Sequence, residues 1–295
     1  MKKIPTILEQ FRSFYAQNGF DDIQQAFEYF MVFGGLNKKI DKNKNIKQLI
    51  EENIIENYNN LNNMVANITK RDGFYHSLLS GVALGDGRFH SVYKKARTTQ
   101  DEAEDILDEL CDIGVIEVAD DLNFYSDKLY FTTPFMKFWF AFISPFYKDI
   151  KQGEYDEIFK RFENKKQEFM QDLFVQLSKE LIKLNFRDDP IDEMDSYWDK
   201  DLFIDIVANT QSGKVIAANC KYTNTKLKKS ELNKLKEDCS KALIDADIFI
   251  LCAKNGFSSE LKALKSKELG LISLKNFKKL VEDIKPSEII NDRLF

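Results

Sequence analysis

The sequence predicts a multidomain α/β protein with a helical N-terminal region, and three observations lead to this prediction. The chain has 295 residues, which is more than one small core accommodates. Apolar residues recur with a helical period near the N-terminus, as in the series from Ile7 to Tyr15. Further along, apolar runs such as Ile248–Ala253 alternate with helical patterns, which favours a sheet with helices on its faces.

Residues 1–73 are predicted to form a helical region. Helical spacing of apolar residues covers 5–33, with an interruption at Gly19, and resumes over 48–68. The stretch 36–48 is rich in Asn and Lys and is predicted to be a loop.

Residues 74–146 are predicted to form a winged-helix domain that ends in an aromatic core segment. Three helices are expected, at Phe74–Leu84, at about 88–96 and at about 100–112. Thr98-Thr99 precede the third helix and are predicted to cap it, with acidic residues in its first turn.

A hairpin is expected after the third helix, which completes the order of a winged helix. Its strands are Val115–Val118 and Lys128–Thr132, joined by a turn at Asp120-Asp121. The aromatic run Phe135–Phe146 is too short to span a membrane and is interpreted as a buried core segment.

Residues 155–285 are predicted to form a separate α/β domain that opens with one or two long helices over 155–187. The expected strands are Phe203–Ala208, Val215–Tyr222, Ile248–Ala253 and 271–274. The expected helices are 228–244, 258–268 and 276–284.

The charges are distributed unevenly, and this bears on the expected partners. A net charge of −5 argues against a protein that coats nucleic acid. Residues 97–127 hold eleven acids against Arg97 alone, so the third helix would be repelled by phosphates. A winged helix used for packing or protein contact is therefore favoured. Residues 214–285 hold sixteen lysines against nine acids, which predicts a nucleic-acid face or a solvated lysine-rich surface.

The cysteines and histidines point to a reducing compartment rather than to a zinc site. The four cysteines form no CxxC pair and the chain has two histidines, His76 and His90, which are interpreted as structural. Unpaired cysteines at apolar positions predict a cytoplasmic protein, and no membrane association is expected.

The residues Asp205, Asn219 and Lys221 form the candidate catalytic constellation. Strict alternation along the first strand places Phe203, Asp205 and Val207 on one face and Leu202, Ile204 and Ile206 on the other. Asn219 and Lys221 share a face of the next strand, so a hairpin would bring Asp205 near both. A carboxylate, a second oxygen ligand and a lysine suit a Mg²⁺-dependent phosphodiesterase with Asp205 as metal ligand. The alternative is an Asp–Lys ion pair at a strand edge.

Several short motifs resemble known families. Trp198-Asp199-Lys200, Phe203–Val207 and Ala218–Tyr222 resemble motifs II and III of the PD-(D/E)XK nucleases, and more narrowly the C-terminal domain of archaeal-type DEXX-box ATPases. Thr133–Phe140 resembles the segment that follows the winged helix in that ATPase family, and Phe27–Gly35 resembles the end of its ATPase lid. The resemblance implies a restriction-endonuclease-like fold for the C-terminal domain.

The chain also departs from the pattern of these families. These residues contain no GxxxxGK[ST] phosphate-binding loop. The glutamate of the ExK motif is Asn219, and the helix glutamate expected near Phe174 has no clear match, with Glu168 and Glu180 as nearby alternatives. The site is therefore expected to be degenerate, unless a carboxylate of the next helix, such as Glu231, replaces the missing one.

The leading hypothesis is a nucleic-acid-associated binding or regulatory protein with a degenerate nuclease-like domain. Lys226, Lys228 and Lys229 are the candidate nucleic-acid-binding residues. The alternatives are an active nuclease, for which Mg²⁺ would be the cofactor, and a protein-interaction scaffold for a separate ATPase. The sequence leaves open whether the protein is an enzyme.

Overall fold

The computed structural model describes residues 4–85, 87–119, 128–199 and 202–291. They divide into two compact units. The first holds 4–85, 87–119, 128–169 and 284–291, and the second holds 170–199 and 202–283. The predicted turn at Asp120-Asp121, the acid Asp127 and the motif residue Lys200 lie outside the described residues.

The first unit is mainly helical, as predicted. Its helices up to the hairpin are α1 Ile7–Asn18, α2 Ile23–Phe33, α3 Ile46–Ile50, α4 Tyr58–Ile68, α5 Gly73–Leu84, α6 Phe89–Ala96 and α7 Gln100–Asp112. The helical stretch expected over 48–68 is helical but not continuous, because a π-helical turn at Glu51–Ile55 separates α3 from α4. The winged-helix identity of this segment stays a prediction.

Capping side chains fix where two of these helices begin. Thr6 and Glu9 form a capping box at α1, and Thr99 and Glu102 form one at α7. In each case the threonine hydroxyl accepts from the third backbone N–H of the helix and the glutamate accepts from the cap N–H. The prediction that the Thr98-Thr99 pair caps the third helix is confirmed, with Thr99 as the cap.

A short hairpin follows α7 and leads into the aromatic core of the first unit. Strands β1 Ile116–Ala119 and β2 Lys128–Phe131 pair antiparallel. Helix α8 Pro134–Phe138 and a π-helical turn at Trp139–Ile143 come next, and every side chain of that turn is fully buried. Trp139 stacks on Tyr58 with ring centroids 5.6 Å apart. The interpretation of the run Phe135–Phe146 as core is confirmed as far as Ile143, whereas Pro145 is exposed and Phe146 is half-buried.

The second unit is built on a five-stranded sheet of order β3-β4-β5-β6-β7. The strands are β3 Ile191–Asp199, β4 Leu202–Thr210, β5 Val215–Lys221, β6 Ile248–Ala253 and β7 Leu269–Ser273. Strands β3, β4 and β5 pair antiparallel, whereas β5, β6 and β7 pair parallel. The α/β class predicted from alternating strands and helices is confirmed.

Helices lie on both faces of this sheet. Helix α11 Lys229–Lys241 packs Leu232 and Leu235 into a core with Ala217, Leu251 and other apolar residues of the sheet. Helix α10 Asp156–Asn185 contacts the opposite face, where the ring of Phe174 meets those of Tyr222 and Phe277. Because side chains alternate along β5, Ala217 and Tyr222 point to different faces.

Three secondary-structure predictions for the second unit are corrected. Strand β3 was not expected, because its four acidic residues hide the apolar alternation of this edge strand. The helix expected at 258–268 is the single turn α12 Ser259–Ala263, and the helix expected at 276–284 is a 3₁₀ helix at Leu274–Val281.

The strict alternation predicted for β4 is wrong, because the strand contains a bulge. Asp195 of β3 lies opposite Val207 and Tyr197 lies opposite Ile204, so two residues of β4 face one residue of β3. Ile204 and Val207 consequently enter the same apolar core. The bulge falls on Asp205 and Ile206, where it changes the direction of the candidate carboxylate.

No helix in the described part of the chain combines the length and apolar content that crossing a membrane requires.

We predict that His76 makes the stability of the first unit pH-dependent. Its Nδ1 lies 2.8 Å from Ser144 Oγ, its Nε2 lies 3.2 Å from Thr69 Oγ1, and its ring packs beside Phe140. Burial lowers the pKa of His76, and Asp72 opposes this in part. The unfolded chain binds the proton more readily, so the free energy of unfolding should fall as pH decreases through about 6.5.

The measurement is urea unfolding at about pH 7.5 and pH 5.5 for the wild type and His76→Gln. The wild type should lose more stability than the variant on acidification, by less than about 1 kcal/mol since solvent reaches part of the ring. Equal losses in the two proteins would refute a role for this imidazole.

Candidate functional site

The candidate site lies where β4 separates from β5. The two strands pair from Asn209 opposite Val215 to Ile206 opposite Ala218. Beyond that point β4 continues beside β3, and β5 continues beside β6. The backbone groups of the two strands that face each other there need new hydrogen-bond partners. We call this place the fork and define it by Gln171, Asp205, Asn219, Cys220 and Tyr222.

Asp205 and Asn219 supply two of the missing partners at the fork. The Cys220 N–H donates to Asp205 Oδ2 over 2.8 Å, and the Asp205 N–H donates to Asn219 Oδ1 over 3.1 Å. Both side chains are buried, with exposed fractions of 6 % and 8 %. The structure therefore brings together two of the three predicted catalytic residues, with one oxygen of each bound to the main chain.

Gln171 of α10 closes the other side of the fork. Its Nε2 donates to the carbonyl oxygen of Cys220 over 2.8 Å, and its Oε1 accepts from the N–H of Tyr222 over 2.9 Å. The carboxamide thus takes the place of a neighbouring strand for β5. Sequence reasoning missed Gln171, although its position three residues before Phe174, on the helix face that meets the sheet, is a signal that could have identified it.

The two glutamates considered for the missing helix carboxylate are engaged elsewhere. Glu168 pairs with Lys165 over 2.7 Å, and Glu180 pairs with Lys183 over 2.9 Å. Glu231, the candidate on the next helix, lies half-buried in the first turn of α11. Among residues 4–85, 87–119, 128–199 and 202–291, no group of three or more His, Cys, Asp or Glu side chains is arranged to hold a metal ion.

Lys221 is the last residue of β5 and is half-buried. Its carbonyl oxygen accepts from the N–H of Lys254 over 3.1 Å, which ties the end of β5 to the loop after β6. Lys221 lies two residues after Asn219, so the two side chains point to the same face of β5, as predicted.

The predicted nucleic-acid-binding lysines follow β5 in the loop and at the start of α11. Lys226, Lys228 and Lys229 are all exposed. Lys229 pairs with Glu260 over 3.7 Å. Lys254 lies in the adjoining loop, where its Nζ is 4.5 Å from the centre of the Tyr222 ring and 3.1 Å from Asn224 Oδ1.

Two buried thiols flank the fork on the face covered by α10. Cys220 and Cys252 lie opposite each other on the parallel strands β5 and β6, and both are fully buried. Burial, followed by the neighbouring thiol of Cys252 and the carboxylate of Asp205, raises the pKa of Cys220 well above its usual value. Cys220 is therefore an inert core thiol at neutral pH.

The fork lies in the part of the chain that matches a known protein family. Residues 139–235 match the family DUF234, described as archaeal and bacterial proteins of unknown function. The match covers about a third of the chain and includes Gln171, Asp205, Asn219 and Lys221. No curated protein and no solved structure matches the chain.

We predict that Gln171→Glu destabilises the second unit although it preserves the shape of the side chain. A carboxylate still accepts from the N–H of Tyr222, but it has no hydrogen to donate to the carbonyl oxygen of Cys220. The free energy of unfolding should fall by about 1–3 kcal/mol, the usual cost of a buried polar group that loses its partner.

Urea unfolding followed by circular dichroism at neutral pH measures this change, and Gln176→Glu on the same helix is the control. The control should lie within about 0.5 kcal/mol of the wild type. Equal effects of the two substitutions would show that the charge on the helix matters and the hydrogen bonds of the fork do not.

Proposed function

We propose that the protein is a nucleic-acid-associated binding or regulatory protein whose nuclease-like domain no longer performs metal-dependent hydrolysis. The observation that carries this proposal is the hydrogen bonding at the fork. Asp205 Oδ2, Asn219 Oδ1 and both polar atoms of Gln171 serve backbone groups. Among these three side chains, only that of Asp205 is a carboxylate.

The ligand requirements of Mg²⁺ explain why this hydrogen bonding argues against metal-dependent hydrolysis. Mg²⁺ requires hard oxygen ligands in nearly octahedral geometry and is usually held by carboxylates together with substrate phosphates. An amide oxygen brings no charge, so Asn219 and Gln171 neutralise none of the charge of the metal. Asp205 Oδ2 accepts from the buried N–H of Cys220, so a metal bond at this oxygen would weaken that hydrogen bond.

The lysines beside the fork support nucleic acid as the ligand class. The parallel strands β5, β6 and β7 direct their carboxyl ends to one edge of the sheet, where ligands of α/β proteins commonly bind. Lys226 and Lys228 are exposed in the loop after β5, and Lys254 lies in the loop after β6. Ammonium groups at such an edge suit phosphate groups, and they act without a metal.

The family match bears on the proposed domain relationship and not on nucleic-acid binding, because the family is described as being of unknown function. It includes the end of the aromatic core, α10, the fork and the first half of α11. This location is consistent with the proposed relationship to the C-terminal part of DEXX-box ATPases. The proposed order of modules is a helical region, a winged helix and a restriction-endonuclease-like domain.

A second candidate function, protein interaction through the winged helix, is favoured by the surface of α7. Six acids of this helix are exposed, namely Asp101, Glu102, Glu104, Asp105, Asp108 and Asp112. The side chains of Ile113 and Val118, close to the end of the helix, are about half exposed. This surface repels phosphates and suits a basic protein partner, such as a separately encoded ATPase.

We predict that the wild-type protein does not cleave plasmid, single-stranded DNA or RNA in the presence of Mg²⁺ or Mn²⁺. Asp205→Asn and Lys221→Ala are tested beside it, and circular dichroism verifies that each variant is folded. Cleavage by the wild type that disappears in both variants would show that the site is active, and the proposed loss of hydrolysis would be wrong.

We predict that charge reversal at Lys226 and Lys228 weakens DNA binding. Replacing both with Glu should lower the affinity for a DNA duplex at least about tenfold at low salt and reduce the salt dependence of binding. Lys241→Glu, at the far end of α11 and paired with Glu237, is the control for charge alone. Fluorescence anisotropy at several salt concentrations measures both effects. An absence of DNA binding by the wild type at low salt would favour the protein-interaction candidate.

A further inference from the structure

A second surface of the first unit combines an exposed and a half-buried aromatic ring with cations. It consists of Phe146, Tyr147, Lys148, Lys151 and Arg161, which we call the aromatic–cation patch. Tyr147 begins helix α9 Tyr147–Gln152, and its side chain is 44 % exposed. Phe146, which precedes the helix, is half-buried.

Each ring of the patch has at least one cation beside it. Lys148 Nζ and Lys151 Nζ each lie 5.8 Å from the centre of the Tyr147 ring, and the guanidinium of Arg161 lies 5.5 Å from the centre of the Phe146 ring. These distances are near the outer limit of a cation–π contact, so the cations can exchange the rings for a better partner.

The three cations of the patch form no ion pair with a carboxylate of the residues that the structure describes. Arg161 is half-buried, and burial lowers the pKa of its guanidinium. A partly desolvated cation without a counter-charge carries a free-energy cost that an anion would remove. Arg161 is therefore the feature of the patch that most directly indicates an anionic ligand.

The acids near the patch restrict what this ligand can be. Glu154, Asp156 and Glu157 follow α9 in the turn and the first turn of α10, where they suit the positive end of the helix dipole. Glu157 is paired with Lys160. These acids offset the charge of the cations, so a ligand held only by the charge of its phosphate backbone would bind weakly. A ligand that also stacks a ring on Tyr147 gains stacking energy, which the acids do not reduce.

We propose that the aromatic–cation patch binds single-stranded nucleic acid, with a base stacked on Tyr147 and the adjacent phosphates on Lys148, Lys151 and Arg161. Single-strand-binding surfaces elsewhere combine aromatic rings for the bases with cations for the backbone. This inference rests on the proposed association with nucleic acid and adds a site on a different unit from Lys226 and Lys228. In a duplex the bases are stacked on each other, so a duplex cannot use Tyr147 in this way.

The experiment compares two ligands that differ only in their bases. One is a labelled oligothymidylate of about twenty nucleotides, longer than one such site requires. The other is an abasic oligonucleotide of the same length. The proteins are the wild type, Tyr147→Leu, which removes the ring and keeps the cations, and Tyr147→Phe, which keeps the ring. Thermal unfolding verifies that the variants are folded.

Tyr147→Leu should weaken oligothymidylate binding at least about fivefold, and Tyr147→Phe should bind within about twofold of the wild type. On the abasic ligand the three proteins should bind alike, because there is no base to stack. Lys148→Gln combined with Lys151→Gln should weaken binding to both ligands.

The following outcomes overturn the proposal. Oligothymidylate binding that Tyr147→Leu leaves unchanged would exclude stacking. An equal loss on the abasic ligand, or binding of poly-glutamate with the affinity of oligothymidylate, would indicate a surface for acidic polymers. If the double charge reversal at Lys226 and Lys228 weakens oligothymidylate binding while Tyr147→Leu leaves it unchanged, this patch fails and the proposed function stands. If the wild type binds no nucleic acid, both the role of this patch and the proposed function are refuted.

Discussion

The second unit depends on how the backbone groups of β5 are satisfied where β4 leaves it. A sheet that divides in this way exposes main-chain donors and acceptors inside a core, and each one left without a partner is costly. Asp205, Asn219 and Gln171 supply those partners from two strands and a helix. Asp205 and Asn219 are also two of the predicted catalytic residues, so the oxygens that satisfy the backbone of the fork are oxygens that a metal ion would need as ligands.

The demand for hydrogen bonds at the fork explains why amide side chains, Asn219 and Gln171, suit these positions. A carboxamide both donates and accepts, which Gln171 uses to bridge the carbonyl of Cys220 and the N–H of Tyr222. A carboxylate at that position accepts only, and it would need a cation or a proton to be tolerated beside a carbonyl oxygen. The amide side chains of Asn219 and Gln171 are poor ligands for a metal ion, but they satisfy the backbone groups of the fork without one.

Charge and aromatic surface are segregated along the chain, and this shapes the proposed functions. Acids are exposed along α7, lysines follow β5, and rings with adjacent cations lie around α9. Each surface fits a different ligand chemistry, namely a basic protein, a phosphate backbone and an unstacked base. A chain of modest net charge can thus present several distinct binding surfaces.

The sequence by itself determined the α/β class, the period and approximate bounds of most helices, the cap at Thr99 and the burial of the aromatic run, because these follow from local periodicity and capping chemistry. It also placed Asn219 and Lys221 on one face of β5. The tertiary structure alone decided the bulge at Asp205, the acidic edge strand β3 and the part played by Gln171. Each of these features depends on contacts between separate segments of the chain. A bulge is defined by the partner strand, an edge strand by the lack of a second partner, and the hydrogen bonds of Gln171 by the position of β5.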